Sequence, residues 1–204
     1  MSVLELAEWF AGAPVKPKRS LLFIWHVGEE EGLYGSQWFT DHPTVPRDSI
    51  VTELNIDMIG RGGRGDVTGE TIAGALIHGD SNYVQLVGSR RVSTELGNLA
   101  ESVDAASAHP LRFDYSLDAN GHPQNIYCRS DHYEYARYAI PIIFFTTGGH
   151  ADYHQVTDEP QYIDYDRMAQ VSRFVADLAT AVGNLDHRPR VDHPKPDPNG
   201  ECVQ

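Results

Sequence analysis

Three short apolar runs constrain this chain most, because each leads within a few residues into glycine and then into carboxylates or histidines. "LLFIWHV" at 21–27 enters "GEEEG", "IVTEL" at 50–54 enters "NIDMIG", and "PIIFFTT" at 141–147 enters "GGHADYHQVTDEP". Runs this short, rich in β-branched and aromatic residues and closed by turn residues, read as strands buried on both faces. Helical patterns lie between and around them. Val3, Leu6, Ala7 and Phe10 mark an amphipathic helix at the start of the chain, and "EGLYGSQWFTDHP" carries a short helix that Pro43 helps to stop. Met168, Val171, Phe174, Val175, Leu178 and Val182 line one face of a final helix, with Gly183 in a capping position. Alternating strands and helices predict an α/β fold, a three-layer α/β/α sandwich around a mostly parallel mixed sheet, with the ligand crevice at the carboxyl ends of the strands. All three polar segments fall at such ends.

The intervening sequence is less sharply patterned. "TIAGALIHGD" reads as a further strand, "NYVQLVGSRRVSTELGNLAESV" as a helix despite its glycines, and 111–140 as long loops with a short helix at "SDHYEYARY". The segment 186–204 is proline-rich and polar, and reads as a disordered tail after a domain covering residues 1–185.

Composition narrows the function classes. Twenty-nine acidic residues against 16 lysines and arginines give a formal charge of −13, which excludes nucleic acid and anionic membranes as expected partners. Cys128 and Cys202 are the only cysteines and neither has a CxxC neighbour, so the sequence predicts neither a disulfide framework nor a thiolate metal site. No apolar run approaches a membrane span.

Hydrolysis by a zinc-bound water needs nitrogen or oxygen ligands, an open coordination position and a carboxylate to take the proton. Adjacent glutamates can divide these tasks, and Glu29 and Glu30 suit the division. Asp57 ends its strand as a second oxygen donor, and His154 offers an imidazole whose other nitrogen calls for a carboxylate, with Asp158 near in sequence. Taken singly, each has an ordinary reading: a solvated acidic turn, a turn-capping aspartate, a hydrogen-bonded loop histidine. His26 reads as structural or pocket-lining, and Asp131 and His132 as loop anchors or pocket wall. "SDH" lacks the geometry of a serine hydrolase triad, and no GxSxG elbow is present.

The set taken together resembles metallopeptidase family 28, the co-catalytic zinc aminopeptidases of the aminopeptidase Y and S type, whose relatives include glutamate carboxypeptidase and glutaminyl cyclase. The resemblance runs in order through "SVLELAEWF", "GEEEGLYGS", "NIDMIG", "RSDHYEY", "IPIIFFTTGG" and "YHQVTDEP". It implies a zinc-peptidase fold of the phosphorylase/hydrolase-like type and a peptide substrate. It further implies that Glu29 is the general base, Glu30 and His154 bind one zinc, Asp57 binds the other, and Tyr153 holds the oxyanion. The family's remaining ligands, a histidine and a bridging aspartate, precede the helix that "SVLELAEWF" resembles. The expectation is therefore the C-terminal part of a peptidase domain with N-terminal strands missing, carrying ligands for about one of two zincs. An open sheet edge would then favour a homodimer. Two alternatives stand beside this reading: a catalytically inactive fragment or binding domain of the same fold, and an acyltransferase of the glutaminyl cyclase kind. The resemblance suggests export for many such enzymes and leaves localisation open.

Overall fold

The computed structural model describes residues 1–79 and 82–204. Helix α1 (Ser2–Gly12) buries Leu6 and Phe10, as its spacing requires. The segment 21–27 forms neither helix nor strand and pairs with no sheet among the described residues, and Leu22 and Trp25 are each 56% exposed. This corrects the expectation of a buried strand: an apolar run becomes a strand only where another strand supplies ladder partners. Leu21 and Phe23 nevertheless pack onto the core. Helix α2 (Tyr34–Asp41) begins hard against this segment. Gly35 donates its N–H to Val27 O at 2.9 Å, and a Cβ at Gly35 would lie 2.5 Å from that oxygen, so only glycine allows the approach.

Strand β1 (Glu53–Ile56) follows, then an antiparallel hairpin of β2 (Val67–Glu70) and β3 (Leu76–His78) outside the main sheet. Strand β4 (Tyr83–Val87) is buried at every position and replaces the first half of the expected helix. The period misled there because a run buried on both faces carries no alternation. The chain turns at Gly88, whose φ is 75°, and helix α3 (Thr94–Ala105) starts at Ser93, whose side chain accepts from Leu96 N at 3.2 Å. Strand β5 (Arg112–Asp114) lies in what was expected to be loop. Helix α4 (His132–Ala136), strand β6 (Ile142–Thr146) and helix α5 (Tyr165–Asn184) complete the domain. Gly183 falls inside the last turn of α5, where a Cβ would meet Pro17 at 2.7 Å.

The four-stranded sheet has the order β1-β6-β4-β5, with β1/β6 and β4/β5 parallel and β6/β4 antiparallel. Val84, Leu86, Ile143 and Phe145 face one core with residues of α1, α3 and α5; Val87, Ile142 and Phe144 face a second with Tyr135 and Ala136 of α4. These are the three layers that alternating strands and helices predict. The outer edge of β1 has no strand partner among the described residues.

Residues 186–204 form neither helix nor strand, yet they are tied down, unlike the disordered tail expected from composition. Asp192 N donates to Val92 O, Arg137 to Pro198 O, and the Gln204 side chain accepts from Tyr127 N at 3.0 Å. Cys202 forms a disulfide with Cys128 across 74 residues, which corrects the reading that the cysteines serve no cross-link.

Candidate active site

The polar segments that leave 21–27, β1 and β6 meet at one end of the sheet. Glu29 and Glu30 sit in a tight turn closed by Gly32 N and Leu33 N, both donating to Glu29 O. Glu30 Oε1 lies 3.1 Å from His154 Nε2. His154 holds a φ of 58°, a conformation a non-glycine residue adopts at some cost, and its ring stacks on Tyr153 at 3.9 Å. Asp57 follows β1 directly, with its N–H on Phe145 O, and its Oδ2 accepts from Ser130 Oγ at 2.9 Å. Ser130 Oγ in turn accepts from Asn55 Nδ2 at 3.0 Å.

The carboxylates share one electrostatic field. Partial burial, then the negative charges of Asp57, Glu30 and Asp131, raise the Glu29 carboxyl to about 7, against the pull of Arg129. Burial raises Asp57 as well; the Ser130 hydrogen bond opposes this while Asp131 and Glu30 add to it. Burial raises the Tyr153 phenol, and the charges acting on it are those of Arg129, Glu30, Glu29 and Asp57. A carboxyl that titrates near neutrality can both take and return a proton at physiological pH.

Other expected positions resolve differently. Asp131 acts on this field, and its Oδ1 is buried without a partner among the described residues. His132 is no pocket wall: it is fully buried and stacked on Phe144 at 4.7 Å. His26 Nε2 pairs with Tyr135 Oη at 2.9 Å, a structural role. Asp158 does not fix His154; it accepts from Arg61 Nη1 at 2.9 Å and lies 3.7 Å from His150 Nε2. Sequence reasoning missed Asn55, Arg61, Arg129 and Ser130. Arg129 and Ser130 were within reach, since they open the "RSDH" segment, but nothing in the pattern marks a side chain whose partners come from distant loops.

The donor types suit zinc. Two ligands on a tetrahedral zinc at about 2.0–2.1 Å stand ~3.3 Å apart, close to the 3.1 Å between Glu30 Oε1 and His154 Nε2. The number of donors is smaller than a catalytic zinc ordinarily takes: among the described residues no group of three His, Cys, Asp or Glu side chains stands where it could hold a metal ion.

The model of peptidase family M28 matches residues 1–179 of the chain. The chain belongs to peptidase family M28. Solved structures with the same M28 fold include the aminopeptidase LapA of Legionella pneumophila, at 20% identity and a TM-score of 0.64, covering 91% of this chain and 45% of that one. The zinc aminopeptidase BSAP of Bacillus subtilis matches at 17% identity and a TM-score of 0.65, covering 94% of this chain and 42% of its own. An aminopeptidase from Aneurinibacillus sp. strain AM-1 matches at 18% and 0.64, covering 96% and 40%. The vacuolar membrane protease of Sclerotinia sclerotiorum is 33% identical over 64 residues, which is 31% of this chain and 6% of that protein. The M28 chain thus spans less than half the length of each of these solved structures and a small part of this protease.

Proposed function

We propose that this chain carries the base and ligand residues of a zinc-dependent peptidase site that removes amino-terminal residues from peptides. The observation that carries this reading is the convergence of Glu29, Glu30, Asp57 and His154 at the carboxyl ends of the sheet, with the Glu29 carboxyl raised to about 7. Glu30 and His154 would hold one zinc, and Asp57 would contribute to a second. A zinc held there supplies Lewis acidity toward the scissile carbonyl and toward water.

The chain's own side chains do the rest. Glu29, not a ligand in this reading, removes the proton from the attacking water and returns it to the leaving amine. Its partial burial among other carboxylates keeps it a strong enough base while leaving it able to give the proton back. The Tyr153 hydroxyl, at the rim beside His154, donates to the oxyanion as the carbonyl becomes tetrahedral. Ser130 and Asn55 hold the Asp57 carboxylate in one orientation, so it is placed before substrate arrives.

Amino-terminal specificity is tested by comparing leucine p-nitroanilide with its N-acetylated form in the presence of zinc. Hydrolysis of the free amine alone supports an aminopeptidase, and equal hydrolysis of both contradicts it. A second reading, a domain that keeps the fold and binds peptide without cleaving it, is favoured by the absence of a three-donor group among the described residues.

A further inference from the structure

Arg61 lies four residues beyond Asp57 and is almost completely buried. Its guanidinium meets three carboxylates. Nε and Nη2 form a fork on Asp66 at 3.3 and 3.2 Å, Nη2 also reaches Asp152 Oδ2 at 3.0 Å, and Nη1 reaches Asp158 Oδ1 at 2.9 Å. The Tyr162 ring lies 5.4 Å from its central carbon. Asp66 belongs to the same segment as Arg61 and also accepts from Gly62 N at 3.0 Å, which fixes the guanidinium from its own side. Asp152 and Asp158 belong to the segment after β6 and bracket His154 by two residues on one side and four on the other.

Apart from the contact of His154 with Glu30, that segment has little else to hold it. Its start is tied to β2 through the bridge between Thr68 and His150 and through Ala151 N on Val67 O. Its end is tied where Asp164 N donates to Gly60 O. Between these, residues 154–158 are exposed, and the bonds from Tyr153, Gln155 and Asp158 N–H groups run only within the turn itself. A loop of this kind, with few buried contacts and a residue held at positive φ, keeps one conformation only if its surroundings over-determine it. Arg suits this task better than Lys, because a planar fork with five donors can serve several carboxylates at fixed angles.

We propose that Arg61 is a positioning residue that clamps the segment carrying His154 to the segment carrying Asp57, and so sets the spacing between ligands delivered by two different loops. The assignment of those two residues as metal ligands rests on the function proposed above; the clamp itself rests on the four bonds. The cost of the arrangement is a buried cation, offset by charge-assisted hydrogen bonds on each side.

The test compares the wild-type chain with R61Q, R61K, the double variant D152N/D158N and the control R91Q, which cuts a different half-buried ion pair, Arg91–Asp118 at 2.6 Å. Hydrogen exchange on the metal-free proteins reads amides of 151–158, and competition against a chromophoric chelator reads zinc affinity. R61Q and D152N/D158N should speed exchange in 151–158 and weaken zinc binding by up to about tenfold, the lower end of what losing a ligand's direct outer partner costs. R61K should fall between, and R91Q should change neither. D152N/D158N keeps Arg61 and its fork on Asp66 in place, so it decides the matter if R61Q does not fold. Unaltered exchange and zinc affinity in D152N/D158N overturn the clamp. If the wild-type chain binds no zinc, the ligand assignment fails, and the exchange measurement decides the clamp without it.

Discussion

His154 Nε2 and Glu30 Oε1 lie 3.1 Å apart although 124 residues separate them. The contact joins the turn after segment 21–27 to the segment after β6, and it does so with one nitrogen and one oxygen donor facing each other at ligand spacing. Substituting either residue by alanine removes half of this donor pair. H154A and E30A are each expected to weaken zinc binding by more than the roughly 10–100-fold that an outer partner costs. Chelator competition measures this, and wild-type affinity in both variants contradicts the role assigned to the pair.

The disulfide between Cys128 and Cys202 closes a long loop and pins the C-terminal segment two residues from Ser130. Loop-closure entropy over this separation corresponds to about 4 kcal/mol. Reduction, or C202S, should lower the melting temperature and speed tryptic cleavage after Arg190, the basic residue of 186–204 that no proline follows. Free thiols in protein made in an oxidising compartment, or a melting temperature indifferent to reductant, contradict the cross-link.

Acid stability should report on His132. Burial lowers this imidazole to about 3 in the folded chain, against about 6.5 when unfolded. Between these values the unfolded state binds the extra proton, so stability falls as pH drops from about 6.5 to 3 and is fully present above that window. The difference integrates to at most about 5 kcal/mol. Phenylalanine keeps the ring stack on Phe144 and removes the titration, so H132F should lose less stability than wild type in urea unfolding at pH 4 relative to pH 7. Parallel pH profiles for the two proteins contradict the assignment.

The edge of β1 that has no strand partner among the described residues, with the exposed side chains of Leu22, Trp25 and Val27, favours self-association. Light scattering should find dimers or larger species whose proportion rises with concentration. A monomer at all concentrations contradicts this expectation.

Legibility in the sequence followed the range of the interactions involved. The α5 face from Met168 to Val182 could be read because one helix repeats its own period, and "PIIFFTT" because its apolar run is ended by Gly148 and Gly149. "YVQLV" was misread because a strand buried on both faces has no period to distinguish it from a helix. "LLFIWHV" has the composition of a strand but no ladder partner among the described residues, and partners are not a local property. The tail was misjudged for the same reason, since Cys202 and Gln204 are held by residues some 75 to 90 positions away. At the site, Glu29, Glu30, Asp57 and His154 stood out through their motifs. Arg61 did not, because its partners Asp152 and Asp158 lie 91 and 97 residues on.

Zinc-dependent hydrolysis of leucine p-nitroanilide by wild-type protein and E29Q, with zinc affinity measured on the same samples, tests the central claim most directly. Glu29 as general base predicts turnover that falls by about 10²–10⁴-fold in E29Q while zinc binding stays unchanged. Turnover that survives E29Q, zinc binding that collapses with it, or no turnover at saturating zinc contradicts the account; the last of these favours a peptide-binding domain of the same fold.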